Sequence, residues 1–125
     1  MPVSAAVRER CRAFLPESEE LHYVFPARSL SYGRSEAMAD FLIAVTDWSV
    51  TILGCRWFRR NRPAAVSATF PRETKLGPVE LYGSLSPTIT IGMLVLEIDD
   101  EYVSVVRAAD AEITNLVPLD PFPYL

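Results

Sequence analysis

Lysine and histidine are almost missing from this sequence. Of its 12 Lys and Arg residues only Lys75 is a lysine, and His22 is the single histidine. Histidine-based zinc motifs, Ser-x-x-Lys and Gly-x-Ser-x-Gly nucleophile motifs and glycine-rich phosphate loops are all absent, which removes the motif-borne routes to an enzyme. Arginine carries the rest of the positive charge. That balance fits a GC-rich genome and also suits bidentate contacts to carboxylate or phosphate. Cysteine is scarce too: Cys11 and Cys55 are the only two, and neither belongs to a Cys-x-x-Cys pair, so thioredoxin-type and zinc-type signatures are excluded. Nothing beside them points to secretion. The first residues, MPVSAAVRERCRAF, place Arg and Glu where a signal peptide needs its apolar stretch. The apolar runs are strand-sized, too short to cross a bilayer as a helix. The expectation is a cytoplasmic protein with reduced thiols. A surplus of basic charge is missing as well: a net charge of −4 and a pI near 5.0 make nucleic acid an unlikely partner and leave room only for a local basic patch.

What the chain does have is core-forming residues. Hydrophobic side chains make up 50% of its 125 residues, enough for one continuous core at this size. No repeat or linker divides it, so residues 1–125 are expected to form a single domain.

The pattern along the chain is mainly β. Residues 3–15 form the expected exception, an amphipathic helix within an N-terminal extension over 1–19. Val3, Val7, Cys11 and Phe14 share one stripe, Arg8, Glu9 and Arg12 take the other face, and Pro16 ends the run. A strand follows over 21–27, then a Ser- and Gly-rich loop. Residues 38–46 are apolar on both faces from Phe41 to Val45, as a central strand requires. Thr46-Asp47-Trp48-Ser49 reads as a tight turn into a strand in which Trp48, Val50 and Ile52 alternate with Ser49 and Thr51. Further strands are expected over 64–70, with Val66, Ala68 and Phe70 on one face, and over 79–85. A last β segment begins at Pro87, and its alternation is lost at Gly92, where a bulge or sharp bend is expected. The clearest helix runs from Asp99 to Ile113. Asp99, Asp100 and Glu101 suit its N-terminal dipole, and Tyr102, Val105, Val106, Ala109 and Ile113 form its apolar stripe. Residues 114–125 close the chain as a Pro-rich apolar tail.

A helix, a run of short antiparallel strands and a closing helix suggest a partly open barrel. The stretches Tyr23-Val24-Phe25-Pro26-Ala27, Val45-Thr46-Asp47, Arg62-Pro63, Phe70-Pro71-Arg72-Glu73-Thr74-Lys75-Leu76-Gly77-Pro78 and Val106-Arg107-Ala108-Ala109-Asp110 resemble the small bacterial, chiefly actinobacterial, pleckstrin-homology-like domain proteins. The resemblance implies an α+β, mainly β fold: two packed sheets of about seven antiparallel strands, a C-terminal capping helix and, here, an extra N-terminal helix. Two features depart from the family pattern. Trp48 and Ser49 follow the Thr-Asp turn, and the junction before the last helix is acidic, with Glu97, Asp99, Asp100 and Glu101.

The most site-like stretch is Arg56-Trp57-Phe58-Arg59-Arg60-Asn61-Arg62, with four arginines and two aromatics in seven residues. By resemblance it joins the third and fourth strands. With Arg28 and Arg34 from the first connecting loop, it matches where pleckstrin-homology domains hold a phosphoinositide headgroup. The candidate ligand-binding residues are therefore Arg28, Arg34, Arg56, Trp57, Arg59, Arg60 and Arg62. The plainer reading is a solvated turn whose arginines pair with surplus carboxylates. His22 fits an exposed or half-buried strand position, and the acidic cluster lacks calcium-loop spacing and fits helix capping.

No catalytic residue, metal ligand or cofactor is expected. The leading functional expectation is a non-catalytic binding module that acts through protein contacts, with an unidentified protein partner. The alternative is peripheral binding of an anionic lipid headgroup or phosphate by the arginine loop, weak and salt-sensitive because the protein itself is acidic. The tail carries Leu116, Val117, Leu119, Phe122, Tyr124 and Leu125 with prolines 118, 121 and 123. It is expected to dock, either on its own barrel or on a second copy as a self-association arm.

Overall fold

The run Phe41-Leu42-Ile43-Ala44-Val45 contains no polar side chain, so both of its faces must be covered. The computed structural model describes residues 3–29, 39–55, 61–81 and 86–116. That run forms strand β2 (Asp40–Thr46), enclosed between β1 (Leu21–Ser29) and β3 (Ser49–Cys55). With β4 (Pro63–Pro71), β5 (Thr88–Ile91) and β6 (Leu94–Glu97), they make one antiparallel sheet in the order β4-β3-β2-β1-β6-β5. The sheet curls into the partly open, pleckstrin-homology-like barrel, mainly β, with one helix at each end of the chain. Among the described residues there are six strands in one continuous sheet, where about seven in two sheets were expected. Of the strand expected over 79–85, the described residues retain one isolated bridge, between Glu80 and Thr88, and residues 82–85 lie outside the description.

The two faces of the sheet bury different helices. On the inner face, Phe25, Phe41, Ile43, Val45, Val50 and Ile52 pack with the β5–β6 isoleucines and with Val106 and Ala109 of helix α2 (Val103–Leu116). The stripe read from the sequence is the buried face of α2, and a short 3₁₀ turn over Asp100–Tyr102 leads into it. On the outer face, Leu42, Ala44, Leu53, Leu21 and Val24 pack against Val7 and Cys11 of helix α1 (Ala5–Arg12). Helix α1 is shorter than the expected 3–15. Ser4 caps its start by accepting from the Val7 N–H at 3.3 Å, and a turn at Phe14 and Leu15 ends it, where Pro16 disfavours helical backbone at the preceding residue.

Three expectations are corrected, each by local backbone geometry. The segment after Pro87 is a hairpin and not one bent strand. Ile91 pairs with Leu94 across a two-residue turn, and Gly92 supplies the positive φ of 59° that this turn needs. Phe70 of β4 lies over Gly92, 3.0 Å from where a side-chain carbon would sit, so the two ends of the sheet approach each other there. Trp48 does not share the buried face of Val50 and Ile52. It sits in the turn and is 70% exposed. Val66 does not share a face with Ala68 and Phe70, because a register shift opposite Ile52 and Leu53 leaves Ser67 unpaired and sets Val66 opposite Leu53.

Candidate functional site

The residues expected to bind an anion divide between what is described and what is not. Arg34, Arg56, Trp57, Arg59 and Arg60 lie outside the described residues, as does the tail beyond Leu116. Arg62 is exposed just before β4. Arg28, near the end of β1, has its Nε 3.3 Å from Asp40 Oδ1 and lies opposite Glu97 of β6. Arg28, Asp40, Glu97 and Asp99 line a cleft of about 130 Å³ together with Asn61. Asn61, within the arginine-rich segment, thus lines the same cleft as Arg28 at the end of β1. The cleft they form holds three carboxylates against one described guanidinium, which weakens its attraction for an anion. His22 is exposed at a bulge, skipped between the Leu21 and Tyr23 pairings.

The best-built polar cluster lies elsewhere, between the segment after β4 and helix α2. Arg72 is buried, 4% exposed. Its Nη2 donates to the Ala109 carbonyl at 2.9 Å and reaches Glu112 Oε2 at 3.5 Å. Among the described residues its Nη1 finds no acceptor. The Tyr23 hydroxyl donates to the other oxygen of Glu112 at 2.5 Å, and this bond raises the phenol's pKa above its usual value. One turn of chain further on, the Asp110 carboxylate accepts from the Leu76 and Gly77 N–H groups, both at 2.8 Å, while Leu76 is fully buried in the inner core. The stretch Phe70–Pro78, which carried most of the resemblance, thus clamps the capping helix to the barrel. Sequence reading did not assign these roles, although Asp110 beside the Ala109 stripe and an arginine inside a proline-bounded break were both in view.

A second polar cluster closes the β2–β3 turn. Thr46 Oγ1 accepts from the Ser49 N–H at 2.9 Å and from the Trp48 N–H at 3.1 Å. The Glu19 carboxylate accepts from the hydroxyls of Thr46 at 2.6 Å and Ser49 at 2.9 Å. The hydroxyls of Thr46 and Ser49 are both engaged in holding the turn. Both cysteines are free thiols. Burial pushes the Cys11 thiol up to about 11 and the Cys55 thiol up as well, which keeps both protonated and unreactive near neutrality. Among the described residues no group of His, Cys, Asp or Glu is arranged to hold a metal ion, and no helix is long and apolar enough to cross a membrane.

Strand β4 offers a different kind of feature. It ends the sheet, and PAAVSATFP contains no charged residue, although natural edge strands are commonly guarded by charge. The Arg72 N–H donates to the Trp48 carbonyl at 3.2 Å, which marks those two as a hydrogen-bonded pair. Alternation then makes Val50 and Phe70 the next such pair. Pro71 and Thr69, opposite Ser49 and Thr51, have backbone groups turned away from β3. Proline is tolerated at 71 for that reason, whereas Thr69 presents a donor and an acceptor outward. The exposed Trp48 lies beside the same end of the strand.

Searches against protein-family models and against curated proteins find no match. The likeness to pleckstrin-homology domains is one of fold.

Proposed function

We propose that this chain is a non-catalytic, cytoplasmic binding module, one of the small actinobacterial pleckstrin-homology-like proteins it resembles, and that it acts by adding an extended segment of a partner protein to the outer edge of β4. The observation that carries the reading is the uncharged nine-residue edge with the Thr69 backbone turned outward. Main-chain pairing supplies affinity in this mode, and flanking side chains supply selectivity. Four arginines lie within 56–62, just before the strand. The fitting partner is therefore an uncharged extended segment with carboxylates beyond one end. Thr69→Pro removes the outward N–H without touching a β3 bond, and Thr69→Ala keeps it. Affinity capture from the native host is expected to retain one partner with wild type and Thr69→Ala and to lose it with Thr69→Pro. Equal retention by Thr69→Pro, with its melting temperature unchanged, would show that the edge is not the contact.

One observation supports a second reading, binding of an anionic headgroup or phosphate: Asn61 and Arg28 line the same cleft. Co-sedimentation with phosphatidylserine vesicles at low salt tests it. Binding that disappears when Arg56, Arg59, Arg60 and Arg62 all become serine supports it, and no binding at low salt removes it.

A further inference from the structure

For an edge strand to pair with its own copy about a two-fold axis, the residue on the axis must offer an outward donor and an outward acceptor together. Strand β4 meets that condition at Thr69. It lies opposite Thr51, next to the hydrogen-bonded pair of Val50 and Phe70, so its N–H and C=O both face away from β3. It is also exposed. Pro71 turns its backbone the same way but has no N–H to give. An axis through Phe70 would set Thr69 against Pro71 of the second copy and leave the Thr69 carbonyl without a donor. An axis through Thr69 satisfies both of its groups at once.

We propose that two copies of this chain pair β4 to β4, antiparallel and with Thr69 on the two-fold axis, and that this pairing regulates the edge by occupying it until a partner segment displaces it. The proposal rests on the reading of β4 as the open edge. Side-chain size fits the register. Phe70 comes opposite Ala68 of the second copy, twice over, and both are only half-buried against the inner core, with surface left to cover. The two Thr69 side chains meet on the outer face. Charge fits as well, since no residue from Pro63 to Pro71 is charged. Arg72 is three positions from the axis, and its guanidinium is engaged inside its own molecule by Ala109 and Glu112. Arg62 is seven positions from the axis. At about 3.4 Å per residue the Arg62 residues of the two copies stand roughly 45 Å apart, far beyond the screening length at physiological salt. The paired stretch is short, with two main-chain hydrogen bonds across Thr69, well short of the roughly 800 Å² per partner of a stable interface. The dimer is therefore weak and exchangeable, as an edge that must yield to a partner requires.

Because the axial residue meets itself, charge at position 69 separates this contact from any other. Sedimentation equilibrium at low salt is run on the full chain from about 10 μM to about 1 mM, and likewise on Thr69→Ala, Thr69→Lys, Thr69→Glu and an equimolar mixture of the last two. Wild type and Thr69→Ala are expected to move from monomer towards dimer mass across that range. Thr69→Lys and Thr69→Glu are each expected to stay monomeric, because like charges oppose each other across the axis, and their mixture to regain dimer mass. A wild-type chain that stays monomeric at the highest concentration overturns the proposal. So does dimer mass that persists in Thr69→Lys alone, which puts the contact elsewhere, or a monomeric mixture while wild type dimerises. The partner reading fails separately. Loss of the captured partner with Thr69→Pro beside a monomeric wild type removes only self-pairing, whereas the expected dimer pattern beside partner retention in Thr69→Pro removes only the partner.

Discussion

The two ends of the sheet are finished differently. At the β5 end, Glu80 and Thr88 exchange backbone hydrogen bonds at 2.8 and 2.9 Å. The segment leading to Glu80 is in turn tied to α2 through Asp110 and the buried Leu76. At the β4 end no described strand follows, the residues are uncharged, and Pro63 and Pro71 bracket the exposed stretch. The same chain thus guards one edge with side-chain chemistry and leaves the other with little besides bounding prolines and register shifts. Unpaired main-chain groups are a ready template for pairing. The contrast is what supports the proposed docking of a partner segment at β4.

The largest expected effect comes from the element that supports both ends. Val106 is buried on the inner face, and Val106→Asp places an unpaired charge there. Its loss should exceed about 4 kcal/mol, so thermal unfolding should show no cooperative transition. Retention of the wild-type melting temperature would mean that α2 is not the plug. Next is Asp110→Ala, which removes two charge-assisted hydrogen bonds from the β5 side only. A destabilisation of about 2–3 kcal/mol is expected, with faster hydrogen exchange at Glu80 and Thr88 and little change in β3. Uniform acceleration across the sheet would show that the clamp serves the whole barrel and not one edge.

A comparable effect is expected from pH on the outer face, remote from both edges. The Cys11 thiol titrates at about 11 in the folded protein against 9.0 when unperturbed. The folded state therefore holds its proton more tightly. That stabilisation is complete below pH 9 and is lost as pH rises towards 11, amounting to about 2–3 kcal/mol. Tyr23, raised in the same sense, adds to the loss above pH 10 or so. Urea melts from pH 8 to 11 should show the decline, and Cys11→Ala should flatten its first part. An unchanged slope in that variant would locate the titration elsewhere.

Much of the barrel was legible because its central residues permit few arrangements. The all-apolar run of β2, the Thr46–Ser49 turn and the stripe of α2 each follow from periodicity or turn chemistry, and each lies where periodicity puts it. What escaped was set by single residues whose effect depends on partners far along the chain. Gly92 reads alike as a bulge or a turn until Ile91 is seen opposite Leu94. Trp48 fits the alternation of Val50 and Ile52 but is one residue too early, inside the turn that Thr46 holds. The unpaired Ser67 reverses the face of Val66, and no local pattern announces it. The site is split in the same way. Composition singled out the arginine loop, whereas Arg72, ordinary in composition, gains its role only because Ala109 and Glu112 sit above it.

The smallest expected change in stability, and the most direct test of the contrast between the edges, is a matched pair of substitutions. Thr69 of β4 and Thr90 of β5 are both exposed, and lysine at either position puts a charge beside an edge, with an effect on stability within about 0.5 kcal/mol. Partner capture from the native host is then compared for Thr69→Lys and Thr90→Lys at equal folded concentration. Loss of the partner with Thr69→Lys and retention with Thr90→Lys is the expected result. Retention with Thr69→Lys, or loss with Thr90→Lys alone, would contradict the assignment of β4 as the open edge.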